Sequence, residues 1–315
     1  MRSARTLSAR VAAGLCLALT ATVPLTACTD AADWKATQIG DAAAFTGYDT
    51  SGIQAQQDII DMLPEGALAD GVLDVAASTD YAPAEFLDTD GTAIGYDVDL
   101  TKAIAAVLGV DSTTHTAEFD SIIAAVGSKY DAGISSFTVT AERESAMDMI
   151  AYINVGSRFN VVAGNPEGVD PSTHLNLCGL TIGVQTGTAQ EEAMNADSAA
   201  CTEAGLPAIS VRSYSTQSEA TTGLMGHVID AVYSDSTVAG YAIELTDGGV
   251  ETVGEIEDAL PQAIVLTKDD PQFNAAIQAA VQYLMDSGTW EEILDAWGIE
   301  DAALTTAELN PNVEQ

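Results

Sequence analysis

An α/β fold with a largely parallel sheet is predicted for this chain from three observations. Strand-like and helix-like runs alternate through Thr181-Ile182-Gly183-Val184, Ile229 to Tyr233 and Ala263 to Leu266, the rhythm of βα units stacked in layers. About 245 residues lie beyond position 70, enough for two lobes of ordinary size. No internal repeat interrupts the rhythm. The charge balance then narrows the function. Ten Lys+Arg stand against forty-seven Asp+Glu, a formal net charge of −37. A folded chain of that sign repels phosphate backbones, so no nucleic-acid partner is expected, and solubility is the plain use of the charge.

Residues 1–27 read as a targeting segment. Arg2, Arg5 and Arg10 make a basic start, and Val11 to Val23 is too short and too rich in small residues for a stable span. Leu25-Thr26-Ala27-Cys28 then looks like a bacterial lipobox. It predicts a lipidated Cys28 and an extracytoplasmic protein held at the cell membrane by its lipid anchor alone. Cys16 leaves with the leader. Cys178 and Cys201 remain, and two thiols in an oxidising compartment are read as one disulfide. No His or further Cys lies at ligand spacing around them, and neither metal nor cofactor is expected.

The other elements follow in order. Residues 28–69 are rich in Ala, Asp and Thr and read as a spacer, with a short helix at Gln54 to Leu63 ended by Pro64 and Gly66. Val72 to Ala77 alternates as a strand, and Asp88-Thr89-Asp90-Gly91 is a turn. Val98 to Leu108 has helical spacing, with Gly109 as its stop. Ser121 to Val126 is predicted helical. Phe273 to Trp297 should form two helices broken at Ser287-Gly288, with Trp290 and Trp297 on one core face. Residues 301–315 read as a polar tail.

The chemistry concentrates between Asp131 and Arg143. A strand runs into Ser135, Ser136 and Thr138, then turns at Thr140, a helix N-cap whose free N–H groups suit an anion. Arg143 follows, and its planar fork matches a carboxylate through two parallel hydrogen bonds. Beyond the leader the chain keeps three arginines, Arg143, Arg158 and Arg212. One retained beside a hydroxyl cluster reads as a ligand grip.

Three segments widen that reading: Asp80-Tyr81-Ala82-Pro83-Ala84-Glu85-Phe86 through Gly95-Tyr96-Asp97-Val98-Asp99-Leu100; Phe119-Asp120-Ser121-Ile122-Ile123 running into the Ser135–Arg143 motif; and Gly183-Val184-Gln185-Thr186-Gly187-Thr188-Ala189-Gln190-Glu191 with Asp230 and Asp235. In this order, from about Gly71 to Ile299, the chain resembles the third family of bacterial extracellular solute-binding proteins. These are the polar amino-acid receptors of ABC importers. The resemblance implies a type II periplasmic-binding-protein-like fold, two α/β lobes joined by two crossing strands. Lobe one would be residues 70–157 plus 262–300 and lobe two 158–261, crossing near Gly156 and Gln262.

Roles are implied as well. Arg143 would grip the ligand's α-carboxylate, aided by Thr138 and by backbone N–H groups near Thr188 and Ala189. Asp235 would take the α-ammonium from lobe two, with Ser135 and Ser136 as further partners. Tyr81 and Phe119 would sandwich the ligand by apolar and cation–π contact, and Asp230 would be structural. The partners implied are an amino acid and the permease subunits of an ABC transporter, with the binding protein a monomer.

Departures from the family pattern shape the specificity. Ala189 stands where a hydroxyl is common. The Gly226-His227-Val228-Ile229-Asp230 segment is one residue longer than usual, which bears on the register of Asp235. Ser78 replaces the acidic residue typical of receptors for basic amino acids, so a neutral polar amino acid of glutamine type is expected. Two rival classes are an enzyme on the same fold, of the cyclohexadienyl dehydratase kind, and a ligand sensor. The enzyme would need an acid or base facing the ligand, for which Glu85 is the acidic candidate. The sensor would need a membrane span after the lobes.

Overall fold

A computed structural model describes residues 47–313. The leader, Cys28 and the first part of the predicted spacer lie outside the described residues. The chain enters through one helical turn, α1 (Gln57–Ile60), and strand β1 (Val72–Ala77). A small antiparallel sheet follows, β2 (Asp80–Tyr81), β3 (Glu85–Leu87) and β4 (Ala93–Ile94). Helix α2 (Tyr96–Leu108) begins at Gly95 and ends at left-handed Gly109. Gly95 is required at that start, because a Cβ there would lie 2.1 Å from the Ala84 carbonyl oxygen. Then come β5 (Asp111–Thr116), α3 (Phe119–Ala125), β6 (Ala132–Thr138), α4 (Ala141–Ala146) and the long β7 (Asp148–Val162). The other lobe holds β8 (Thr181–Gln185), α5 (Ala189–Glu203), β9 (Ser210–Tyr214), α6 (Gln217–Met225), β10 (Ala231–Asp235) and α7 (Ser236–Leu245). Strand β11 (Val250–Leu266) returns to α8 (Pro271–Asp286) and α9 (Thr289–Ala296).

The strands join in the order β5-β1-β6-β11-β7-β10-β8-β9. Neighbours are parallel at both ends of this order, β5-β1-β6 in one lobe and β10-β8-β9 in the other. Between them β7 and β11, 15 and 17 residues long, run antiparallel from one lobe into the other. Their register shifts between Val253 and Glu257 and again between Glu257 and Leu260, opposite Ser157 and Val155. The fold is the two-lobed arrangement that the resemblance implied.

Each lobe packs apolar side chains on both faces of its sheet. In lobe one, Leu73, Tyr96, Ile104 and Trp290 belong to one cluster, and Ile122, Phe137 and Val265 to a second. In lobe two the clusters centre on Phe159, Leu177 and Tyr233 and on Leu224, Ile229 and Val250. Trp290 and Trp297 are both core residues, each with its indole N–H satisfied, by the Tyr152 carbonyl at 2.7 Å and Asp99 Oδ2 at 3.0 Å. The Cys178–Cys201 disulfide forms in lobe two, with Cα atoms 5.6 Å apart, and ties the turn before β8 to the far end of α5.

Two segments differ from expectation. Within the predicted spacer, Tyr48, Ile53, Ile59 and Leu63 pack against the larger core of lobe one, and the Gln56 N–H bonds the Val107 carbonyl at 2.8 Å. The helix expected at Gln54 to Leu63 shrinks to the turn α1, because the Gln56 N–H is taken by Val107 and beyond Ile60 the backbone tightens into three-residue turns, Met62 to Ile59 and Leu63 to Ile60. The polar tail is also anchored. Ala303 and Leu309 bridge to Ile153 and Ile150 on β7, and Ala307 is buried. The tail covers the β7 edge that β10 covers in lobe two, satisfying backbone groups an open edge would expose. Among the described residues no helix is long and apolar enough to cross a membrane.

Candidate functional site

The first side of the cleft is built by β6 and the turn into α4. All seven residues of β6 are buried, and Ser136 sits within it at a left-handed φ of 49°. That conformation costs a non-glycine residue roughly 1–3 kcal/mol. Asp97 offsets it by accepting both the Ser136 N–H at 2.8 Å and its hydroxyl at 3.1 Å. Thr140 caps α4 as its residue type predicts, its hydroxyl accepting the Arg143 N–H at 3.2 Å. The cap turns Arg143 back along the cleft. One guanidinium nitrogen donates to the Thr138 carbonyl at 2.7 Å and the other crosses to the Gly187 carbonyl of lobe two at 3.0 Å. The group lies 5.5 Å from the ring centres of Phe119 and Phe137, which stack on each other. Burial lowers its pKa to about 10, with the charge of Asp235 opposing that fall.

The second side is the turn from β8 into α5. Thr188 caps α5, accepting the Glu191 N–H and donating to the Gln185 carbonyl. The first N–H groups of α5, at Ala189 and Gln190, have no partner within the helix. Gly187 must be glycine here, since its φ is +79° and a Cβ would meet the Asp120 Cβ at 2.9 Å. Asp235 ends β10 at the N-cap position of α7 but makes no side-chain cap bond. It turns instead to the cleft and accepts from Gln190 and Gln262, each at 2.7 Å. Burial raises its pKa to about 6 against the pull of those hydrogen bonds and of Arg143. In the longer Gly226–Asp230 segment His227 is left-handed, and Asp235 beyond it lines the space between the lobes. Asp230 braces lobe two, accepting the Thr181 N–H at 2.7 Å.

These elements close on a narrow cavity of about 10 Å³ between the lobes. Tyr81, Phe119, Ser135, Ser136, Thr138, Arg143, Thr188, Ala189 and Asp235 all line it. The structure thus brings together every residue that the sequence grouped around a ligand. Two more lining residues escaped that reading, Gln185 and Gln190. Both stood inside the quoted motif, and polar side chains on an otherwise buried strand and first helical turn were the signal. Gln185 reaches across the cleft to the Ser78 hydroxyl at 3.1 Å. Glu85 lies directly behind Ser135, fully buried, and accepts its hydroxyl. Burial and the neighbouring Asp97 charge push the Glu85 carboxyl well above its usual range, while burial raises Asp97 to about 6.

The geometry can be set against known proteins. The family model of bacterial extracellular solute-binding proteins, family 3, matches residues 73–300. The chain belongs to that family. This solute-binding protein is 34% identical over 251 residues to an arginine-binding protein of Corynebacterium glutamicum, covering 79% of this chain and 81% of the other. Among solved structures, an ancestral arginine-binding protein bound to arginine matches with a TM-score of 0.66 and 31% identity, over 72% of this chain and 98% of that one. A second, an ancestral arginine-binding protein bound to glutamine, has a TM-score of 0.65 and 31% identity, over 72% and 97%. These relatives are named as binding proteins, and the family as one of extracellular solute-binding proteins, so solute binding rather than catalysis is what the match gives for this chain.

Proposed function

We propose that the protein captures a basic amino acid, of arginine type, between its lobes and hands it to an ABC permease. The observation that carries the reading is the charge balance around the cavity. Three buried carboxylates, Glu85, Asp97 and Asp235, stand against one cation, Arg143. Arg143 and the α5 N–H groups would hold the ligand's carboxylate, and Asp235 its α-ammonium. Tyr81 and Phe119 would form the walls. That leaves Glu85 and Asp97 as the surplus, and a ligand with a second positive charge answers it.

The neutral polar ligand expected from Ser78 is therefore corrected. An acid is missing at position 78, but Glu85 supplies one from the adjoining strand, hidden behind Ser135. The arginine-binding relatives point the same way. The remaining parts of the reading complete the picture. The lobe boundaries at 70–157 plus 262–300 and 158–261 fall within β7 and β11, the two long strands between the lobes, the lipobox supports anchoring through Cys28, and the receptor acts as a monomer.

Titration calorimetry of arginine, lysine and glutamine against the mature chain tests the ligand class. Arginine or lysine should bind, and at a hundredfold excess over its dissociation constant should stabilise the fold by about 2.7 kcal/mol. Tight glutamine binding with no response to either basic amino acid would overturn it.

A further inference from the structure

Glu85 on β3 and Asp97 on α2 have so far entered only as charge. They are 0% and 1% exposed, and each keeps one oxygen, Glu85 Oε2 and Asp97 Oδ1, buried with no donor. Their other oxygens are engaged by Ser135 and Ser136 respectively. A buried acceptor left without a donor is costly, the more so when charged. The Asp97 N–H bonds the Ala84 carbonyl at 2.9 Å, which sets Asp97 beside Glu85, and the serines that engage the two carboxyls are consecutive on β6. A single proton between them satisfies both orphan oxygens at once.

We propose that Glu85 and Asp97 share one proton in the ligand-free cleft at neutral pH, and that a cationic amino acid displaces this proton to solvent. The displacement rests on the reading of the ligand as basic; the shared proton does not. The O–H bond of the carboxyl breaks, its electron pair stays on the oxygen, and the proton leaves as the ligand's positive charge arrives. Two carboxylates then face a cation in place of a proton.

The serines transmit the effect. Ser135 gives its hydroxyl proton to Glu85 and takes the Ser78 N–H at 3.0 Å. Ser136 gives both of its protons to Asp97. Both hydroxyls line the cavity, and with their protons turned to the carboxylates they offer it acceptors only. Acceptors suit an ammonium or guanidinium. Glu85 and Asp97 are thus positioning residues, acting on the ligand through Ser135 and Ser136.

The groups around the pair reinforce this. Tyr96 on α2, Tyr152 on β7 and Tyr81 on β2 are kept neutral, their hydroxyls pushed up by burial. Asp235 adds a like charge from lobe two, and Arg143 on α4 is the one cation among these neighbours. Below about pH 6 Asp97 takes a proton as well, and binding then requires both protons to be released or reoriented. Affinity for a basic amino acid should fall by up to about tenfold per pH unit there.

Infrared difference spectroscopy of the mature chain reads the proton directly. At pH 7.5 the ligand-free protein should show the carbonyl stretch of a protonated carboxyl, absent in Glu85→Gln, and arginine should remove it. Calorimetry of arginine in phosphate and in Tris should show net proton release, lost in Glu85→Gln, whose amide can still accept from Ser135 and donate to Asp97. Thermal melts of Glu85→Gln confirm that it folds. A ligand-free spectrum without the band, or a band that persists in Glu85→Gln, overturns the shared proton. A band that survives saturation with arginine overturns the displacement. Arginine failing to bind while the ligand-free band is present would overturn the ligand reading and leave the shared proton standing.

Discussion

The backbone N–H of Asp235 donates to the Tyr81 hydroxyl at 3.2 Å, joining the lobes through two residues 154 positions apart. Tyr81 is therefore both a wall of the cavity and a latch. Tyr81→Phe keeps the ring and removes the latch, so ligand affinity should fall by about 3- to 10-fold, the worth of one hydrogen bond. Tyr81→Ala should cost far more by removing the wall. Calorimetry separates them, and equal losses in the two variants would leave the latch without a role.

Arg143→Lys should weaken amino-acid binding by about a hundredfold or more. A lysine ammonium cannot hold the Thr138 and Gly187 carbonyls while presenting a planar fork to a carboxylate. Undiminished binding, measured by calorimetry, would remove Arg143 from the site.

The ligand-free protein should become more stable on mild acidification. Asp235 and Asp97 have folded pKa values raised to about 6 by burial, and burial and the Asp97 charge push Glu85 well above its usual range. A carboxyl raised on folding binds protons more tightly in the native state, so stability falls as pH climbs from the unfolded toward the folded value. Burial alone would lower the pKa of His174, but hydrogen bonds and charge from Glu257 and Asp197 raise it, which acts in the same direction. Between pH 6.5 and 5 the gain should be about 1 kcal/mol per buried carboxyl. Thermal melts read it, and a midpoint that drops over this range would contradict the buried carboxyl cluster.

Cys178→Ser with Cys201→Ser should lower stability by roughly 3 kcal/mol in the loop-closure account, the bridge spanning 23 positions. Ligand preference should not change, since the bridge holds the end of α5 away from the cleft. Denaturant titration measures the first and competition binding the second. A free-thiol count of two in the unreduced protein would exclude the bridge.

Cys28→Ser should move the protein from the membrane fraction to the medium or leave its leader uncleaved. Lipid labelling unchanged in this variant would show that the lipobox had been misread.

The site was more legible than the scaffold that presents it. Arg143, Thr138 and the two serines announce themselves because hydroxyls and a rare arginine crowd one apolar strand. Asp235 came only with the family resemblance, and the longer Gly226–Asp230 segment left its register open. Strand β11 was seen only at Ala263 to Leu266, where it is buried on both faces. Its earlier half, with Glu251, Glu255, Glu257 and Asp258, is largely exposed and carries no alternation to read. Glu85 was noticed only as a lone acid, because its neighbours are Ser135 on β6 and Asp97, twelve residues on in the first turn of a different element. Pairings of that kind exist only once the chain has folded.

Both ends of the described chain lead away from lobe one. Tyr48 bonds Asp99 and Ile53 packs on the lobe-one core, while Asn310 bonds Asp148 and Met149 at the lobe-one end of β7. Lobe two is an excursion of the chain, entered along β7 and left along β11. Whatever grips either end of the described chain therefore holds lobe one as the frame, and lobe two is carried on it by β7 and β11.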